Sequence, residues 1–283
     1  MIYLQKGNYV LFGNPVQHSK SPIIYHLFAQ QVNLDFCYNI QNVENNSFYK
    51  VIDIFFKSRG LGANITVPFK KKAYNFAHLL TKRAYISGAV NTLKMMENKQ
   101  ILGDNTDGIG LLYDLRRLNY INAGFHILVI GSGGAARGII PYLLYSNCFV
   151  YVLNRTVENA NNIVSCFQHL GFIKVIELCQ LNRVRYNLVI HTTSFVTHKN
   201  DDFFIPSMSF DSNKTSFYDI CYSDDLTFFL KWCKNLGARC YSDGIGMLVS
   251  QAAYSFYCWN RILPNIELVI NFLNRNKTYR IKK

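Results

Sequence analysis

The chain has 283 residues, 49% of them hydrophobic and 17% charged, a balance that excludes a disordered polypeptide. At about 100–200 residues per domain the length suits two domains, and no apolar run reaches the roughly 18 residues of a membrane span. Lys and Arg number 30 against 17 Asp and Glu, a formal charge of +13, but the basic residues are dispersed and lack the clustered face with interleaved aromatics of a nucleic-acid binder.

The N-terminal run MIYLQKGNYVLFGNP reads as a first strand around residues 9–13, without the basic start, apolar centre and cleavage site of a signal peptide. Residues 22–32 have helical spacing, with Ile23, Ile24, Leu27 and Phe28 on one side. A strand at 36–40, a helix at 48–56 and a strand at 63–67, closed by Pro68, follow. Such alternation indicates an α/β layer on a mostly parallel sheet. A helix is expected over 109–117. A second series opens near Phe125, where the unbroken apolar run 126–130 reads as a buried parallel strand. A helix at 135–145, a strand at 149–153, a helix at 157–170 and strands at 187–191 and 216–220 continue it. Residues 246–259 and 266–274 read as closing helices. The expected segments are therefore 1–105, 106–245 and 246–283, the last returning to the first.

Eight cysteines show neither a CxxC pair nor His/Cys spacing for zinc. No metal site is expected, and reduced thiols suit a cytoplasmic protein. Abundant Asn, Ile, Lys, Tyr and Phe are what AT-rich codons give, which accounts for much of the positive charge without a polyanionic partner. The densest basic run is only Lys70-Lys71-Lys72.

Gly131-Ser132-Gly133-Gly134-Ala135-Ala136 fits G-x-G-x-x-A between a strand and a helix. There the first glycine allows the tight turn, the second lets backbone approach a pyrophosphate, and the small third position permits helix–strand packing. The phosphates would meet unpaired N–H groups at the positive helix end. An NAD site carries an acidic residue after the next strand, whereas this chain has Leu153-Asn154-Arg155-Thr156. The Arg155 guanidinium can fork onto a 2′-phosphate, so NADP is expected. Thr156 can cap the following helix; a solvated surface residue is the alternative reading of Arg155.

Four further segments stand out by residue type. In Asn14-Pro15 to Ser19-Lys20-Ser21-Pro22, proline at the first helical position leaves Ser21 as N-cap. Two serine hydroxyls beside free N–H groups suit a small carboxylate. In Asn64-Ile65-Thr66-Val67-Pro68-Phe69-Lys70, Asn64 and Thr66 are two apart on a strand and face one side. Buried polar groups need partners, so that face suggests a polar ligand. Gly88-Ala89-Val90-Asn91-Thr92 and Gly103-Asp104-Asn105-Thr106-Asp107-Gly108 complete the set, with Asp107 equally suited to cap a helix.

Together the segments GNPVQHSKSP, ANITVPFK, GAVNT, GDNTDG, GSGGAARG, NRT and DGIGMLVSQAA closely resemble the shikimate dehydrogenase family in order and spacing, over nearly the whole chain. The resemblance implies an N-terminal substrate domain facing a Rossmann-type NADP domain across a cleft, and interconversion of 3-dehydroshikimate and shikimate. By that resemblance Lys70 and Asp107 are the catalytic pair, and Ser19 and Ser21 hold the substrate carboxylate. Asn64, Thr66, Asn91, Asp107 and Gln251 bind ring hydroxyls, with Tyr222 near the substrate. Gly131, Ser132, Gly133, Gly134, Ala135, Asn154, Arg155, Thr156, Ile220, Gly244 and Met247 border the cofactor, core packing being the alternative for Ile220 and Met247. Reduction of a ketone leaves an alkoxide that needs a proton, which a Lys ammonium can supply. Lys71 and Lys72 read as solvated residues opening a helix. The expected partner is a small-molecule substrate, with no nucleic acid or membrane, in a monomer or homodimer.

The sequence departs from the family in its cofactor half. His191-Thr192-Thr193-Ser194-Phe195-Val196 stands where the family often has Asn-Ala-Thr-Ser-x-Gly, Asn159 replaces a second basic residue after NRT, and Phe228 a proline. The alternatives this leaves are a quinate/shikimate enzyme with relaxed cofactor use, or a decayed homologue that only binds ligand.

Overall fold

The computed structural model describes residues 7–193, 210–275, 277 and 279. They form two compact units, one running to Gly110 and including Leu248–Asn271, the other Leu111–Met247 with the residues from Phe272 onward. The expected cuts at 105/106 and 245/246 compare with 110/111 and 247/248. The expected return of all of 246–283 to the first unit differs at its end, where residues from 272 cluster with the second unit. The reason is local: Lys277 and Tyr279 bond to Asp243 of that unit.

The first unit holds β1 (Gly7–Gly13), α1 (Ser21–Gln31), β2 (Phe36–Asn42), α2 (Phe48–Lys57), β3 (Gly60–Ile65), α3 (Lys70–Phe76), β4 (Leu79–Leu80), α4 (Lys82–Ser87), β5 (Thr92–Met95) and β6 (Ile101–Asp104), and α5 (Asp107–Arg117) starts in it. Its sheet runs β2-β1-β3-β5-β6-β4, with β5 antiparallel to both neighbours and the other pairs parallel. Ile24, Tyr25, Phe28 and Ala29 bury one stripe of α1, as a three-and-four spacing requires. Full burial of each large apolar side chain stabilises by about 1.5–3 kcal/mol, and Phe12, Phe48, Ile52, Ile65 and Phe69 build the core beneath β3 and α2. The N-cap of α1 is Lys20 and not the expected Ser21. Capping comes from one position earlier still, because Ser19 Oγ accepts the Ser21 N–H at 3.1 Å.

β3 ends at Ile65, two residues short of the expected strand end. Thr66 still donates its N–H to Phe12 of β1 at 2.9 Å, but it lies in the turn that leads to Lys70. Asn64 is buried within the strand, and Thr66, just past its end, is half-buried.

The second unit holds β7 (His126–Ile130), α6 (Gly134–Tyr145), β8 (Phe149–Leu153), α7 (Val157–Phe167), β9 (Ile173–Val175), β10 (Leu188–His191), β11 (Ser216–Asp219), α8 (Phe228–Asn235) and β12 (Cys240–Ser242). α9 (Ile245–Asn260) runs from it into the first unit, and α10 (Ile266–Asn274) runs back. Its sheet is wholly parallel in the order β12-β11-β10-β7-β8-β9. This is the doubly wound dinucleotide-binding order, whose ligand crevice lies where the winding reverses, here between β7 and β10. Among the described residues no helix is long and apolar enough to cross a membrane.

Candidate active site

In the first unit, Lys70 opens α3 directly after the fully buried Phe69. Its carbonyl accepts the Val90 N–H at 2.9 Å, which ties the turn to the GAVNT segment. Its ammonium bonds Asp107 Oδ2 at 2.5 Å. Asp107 is the first residue of α5, so its carboxylate is engaged by side chains and not by capping. Asn91 Nδ2 donates to the second carboxylate oxygen, Oδ1, at 2.8 Å and to Thr106 Oγ1 at 2.9 Å. Asn91 Oδ1 in turn accepts from the Thr106 N–H at 2.9 Å and the Thr92 hydroxyl at 2.8 Å. Gln251, on α9, brings its Oε1 within 3.3 Å of Asn91 Nδ2. The two charges of the pair are thus largely dry and fixed from several sides, the condition under which an ion pair holds one geometry.

Behind Asp107, Asp104 accepts a two-pronged bond from Arg83 and a 2.6 Å bond from Thr81. Asn105 binds the Asp107 N–H through Oδ1 at 3.0 Å and reaches Ala89 O through Nδ2 at 2.9 Å. Asp104 and Asn105 lie within the GDNTDG segment, whereas nothing in the sequence singled out Thr81 and Arg83.

Asn64, expected as a ring-hydroxyl ligand, is bonded within the protein. Its Oδ1 accepts from Tyr25 at 2.7 Å and Tyr38 at 2.8 Å. Its Nδ2 faces Asn91 O, Thr92 Oγ1 and Ser255 Oγ at 3.2–3.3 Å. A side-chain amide has two lone pairs and two hydrogens, and all are taken up within the protein. Tyr25 follows Ser21 by four on α1, and Ser255 follows Gln251 by four on α9; that helical spacing was the available signal. Ser19 and Ser21 form a pair of their own, hydroxyl to hydroxyl at 3.0 Å. Lys71 is exposed at the start of α3 as expected, whereas Lys72 bonds Asn45 Oδ1 at 2.8 Å.

In the second unit, Gly131 follows β7 with φ +109°, a conformation costly for other residues. A Cβ there would also stand 2.5 Å from Thr192 Oγ1, at the end of β10. Gly133 is the N-cap of α6, with no side-chain cap and with open space where a Cβ would project. Ser132, Gly134 and Ala135 are half-buried around it. A helix start with uncapped N–H groups beside an open glycine turn fits a dinucleotide pyrophosphate. Asn154 donates to Thr156 O at 2.8 Å, shaping the turn that exposes Arg155. Thr156 is the N-cap of α7 by position, without a side-chain bond.

Ile220 donates its N–H to His191 O at 3.0 Å. Gly244 packs so closely on it that a Cβ would lie 2.1 Å from Ile220 O. Met247 is buried, its N–H directed to Tyr218 Oη at 3.3 Å. Tyr222, half-buried, follows β11 by three residues. His191 bonds the buried Asp219 through Nδ1 at 3.0 Å and Thr193 Oγ1 through Nε2 at 2.6 Å, and stacks on Phe229. Ser194, Phe195 and Val196 lie outside the described residues. Cys221 sits against Thr193 O, and burial pushes its thiol up to about 12.

Residues 11–93 match the family model described as shikimate dehydrogenase substrate binding domain, and residues 118–201 the model described as shikimate / quinate 5-dehydrogenase. The chain is 48% identical over 274 residues to the shikimate dehydrogenase (NADP(+)) of Buchnera aphidicola subsp. Schizaphis graminum, covering 97% of this chain and 99% of that one. It resembles the crystal structure of shikimate dehydrogenase from Aquifex aeolicus with a TM-score of 0.85 at 29% identity, over 96% of this chain and 99% of that one. A second similar structure is shikimate 5-dehydrogenase from Thermus thermophilus in complex with NADP(H) and shikimate. Its TM-score is 0.83 at 25% identity, over 95% of this chain and 99% of the other.

Proposed function

The chain belongs to the shikimate dehydrogenase family, and we infer that it catalyses the reversible NADPH-dependent reduction of 3-dehydroshikimate to shikimate, with Lys70 and Asp107 at the reacting centre. The observation that carries this reading is the Lys70–Asp107 pair, held by Asn91 inside a chain similar over nearly its whole length to NADP-dependent relatives.

The reduced cofactor supplies a hydride to the ketone carbon. Lys70 directs its ammonium at the developing alkoxide and delivers the proton that completes the alcohol. Asp107 accepts from Lys70 and fixes where that ammonium points, while Asn91 fixes Asp107. In the reverse direction Lys70 in its amine form takes the hydroxyl proton. Ser19 and Ser21 hold the substrate carboxylate; Thr66, Asn91, Gln251 and Tyr222 bind its other polar groups. Asn64 serves this set as a positioning hub, since its own amide is saturated. Gly131 to Ala135 hold the pyrophosphate, Asn154, Arg155 and Thr156 the 2′-phosphate end, and Ile220, Gly244 and Met247 the nicotinamide end.

The reading extends to a cytoplasmic enzyme working as monomer or homodimer, in keeping with eight free cysteines. Initial rates of reduced-cofactor formation, followed by absorbance with shikimate or quinate and with NADP or NAD, test the reaction. Fastest turnover with shikimate and NADP is expected. Preference for quinate, or equal use of NAD, would favour the relaxed variant. Shikimate binding without turnover would identify a decayed homologue.

A further inference from the structure

Lys277 follows the last helix, yet its side chain is only 2% exposed and that of its partner Asp243 is fully buried. The ammonium stands 2.5 Å from Asp243 Oδ1, and the Tyr279 hydroxyl donates to Asp243 Oδ2 at 2.8 Å. Asp243 Oδ1 also accepts, at 3.3 Å, the N–H of Ile245, the first residue of α9. A carboxylate at a helix start is favoured by the free N–H groups, but one fully out of water needs a paired cation. The C-terminal tail provides it.

The same helix start is held from a second direction. Tyr218 donates to Asp114 Oδ2 at 2.7 Å, and its oxygen accepts the Met247 N–H. Asp114 is balanced by Arg117, one turn along α5. Two buried carboxylates, each with its own cation, thus bracket the turn 243–247. That turn carries Gly244, packed against the Ile220 carbonyl, and Met247. Of the two cations, Arg117 lies within the sheet-and-helix framework, while Lys277 lies beyond the end of α10.

We propose that Lys277 and Tyr279 are positioning residues for the cofactor, anchoring Asp243 so that the turn 243–247 presents Gly244 and Met247 to the nicotinamide end. The proposal rests on the assignment of those two residues to the cofactor. Loss of the anchor leaves an unpaired buried carboxylate that draws in water or a proton and loosens the turn. Of the substrate-binding groups, Asn91 and Thr66 belong to other elements, and Gln251 lies six residues past Ile245 on α9, beyond the turn and within the first unit.

The test uses the full-length chain and the variants Lys277→Met, Lys277→Arg and Tyr279→Phe. NADPH affinity is read by fluorescence titration, and KM for NADP, KM for shikimate and kcat by steady-state rates. For the loss of one charge-assisted bond, Lys277→Met is expected to weaken NADPH binding and raise KM for NADP by about tenfold or more, with KM for shikimate moving less than about twofold. Lys277→Arg is expected to restore most of the loss, and Tyr279→Phe to show a smaller shift in the same sense. Wild-type NADPH affinity in Lys277→Met, or parallel loss of both KM values, overturns the proposal. Should Lys277→Met fail to fold, Tyr279→Phe decides: an NADP-selective shift supports the anchor, and unchanged or unselective constants overturn it. A wild-type chain that binds NADPH but does not turn over shikimate overturns the assigned reaction alone, and the titrations still decide the anchor.

Discussion

Lys70 and Asp107 are 37 positions apart in the chain and meet through a 2.5 Å bond from Nζ to Oδ2. Their side chains are 13% and 6% exposed. The topology explains the meeting: β3 delivers Lys70 through the turn after Ile65, while β6 delivers Asp107 into α5. Cross-bonds from Val90 to Lys70 O and from Asn91 to Asp107 lock the two deliveries together. Removing one buried charge leaves the other unpaired, so neither substitution is mild. Asp107→Asn keeps the shape and removes the charge; it is expected to lower kcat by about 10²–10⁴. Steady-state rates with shikimate check this, and a kcat within a few-fold of wild type would remove Asp107 from the reacting centre.

Arg155 is exposed in the turn after β8, and Asn159 stands where a second basic residue is common in the family. A single guanidinium then carries the 2′-phosphate preference. Arg155→Ala is expected to raise KM for NADP by roughly tenfold to a hundredfold, the worth of a charge-assisted bond, with a much smaller effect on NAD. Equal effects on both cofactors would contradict the assignment.

Asn64 binds two tyrosine hydroxyls through one oxygen. Asn64→Ala strands both donors, and an unsatisfied buried polar group costs about 1–3 kcal/mol. Urea unfolding is the check: the midpoint should fall clearly in Asn64→Ala and less in Tyr38→Phe. An unchanged midpoint would mean that the hub is not structural.

Burial raises the thiols of Cys148 and Cys258 to about 11 and that of Cys221 to about 12, from 9.0. A folded-state pKa above the unfolded one favours the protonated form in the native chain. The resulting stability is complete below about pH 9 and is lost as pH rises through 11 to 12. Urea midpoints should therefore fall between pH 9 and 11. Alkylation at pH 8 should label exposed Cys166 and Cys179 well before these three. Rapid labelling of Cys221 in the folded protein would contradict its packing against Thr193 O.

Much of this was legible because chemistry and spacing coincide in short segments. Gly131 to Ala136 announces a strand–turn–helix, and β7 and α6 begin within a residue of where the pattern places them. Lys70 and Asp107 are paired by the family resemblance, and the need of a ketone reduction for a proton donor agrees with it; residue type alone leaves Asp107 equally suited to cap a helix. The rest depends on tertiary contact. Tyr25 and Tyr38 look like ordinary core aromatics until both are seen to end on Asn64. β3 ends two residues before the expected 67, because Thr66 and Val67, strand-like in side chain, keep their bonds to the β1 side while the chain already turns toward Lys70, the Phe69 N–H bonding Thr66 O. Nothing in the sequence singles out Lys277 and Tyr279, and only the location of Asp243 shows what they hold.

The most direct test pairs the kcat of Lys70→Ala with its shikimate dissociation constant from calorimetry. Proton delivery by Lys70 predicts a kcat lower by about 10²–10⁴ while shikimate still binds within about tenfold of wild type. Near-normal turnover in a folded Lys70→Ala, or loss of binding that accounts for the whole loss of rate, would contradict the role of Lys70 as proton donor.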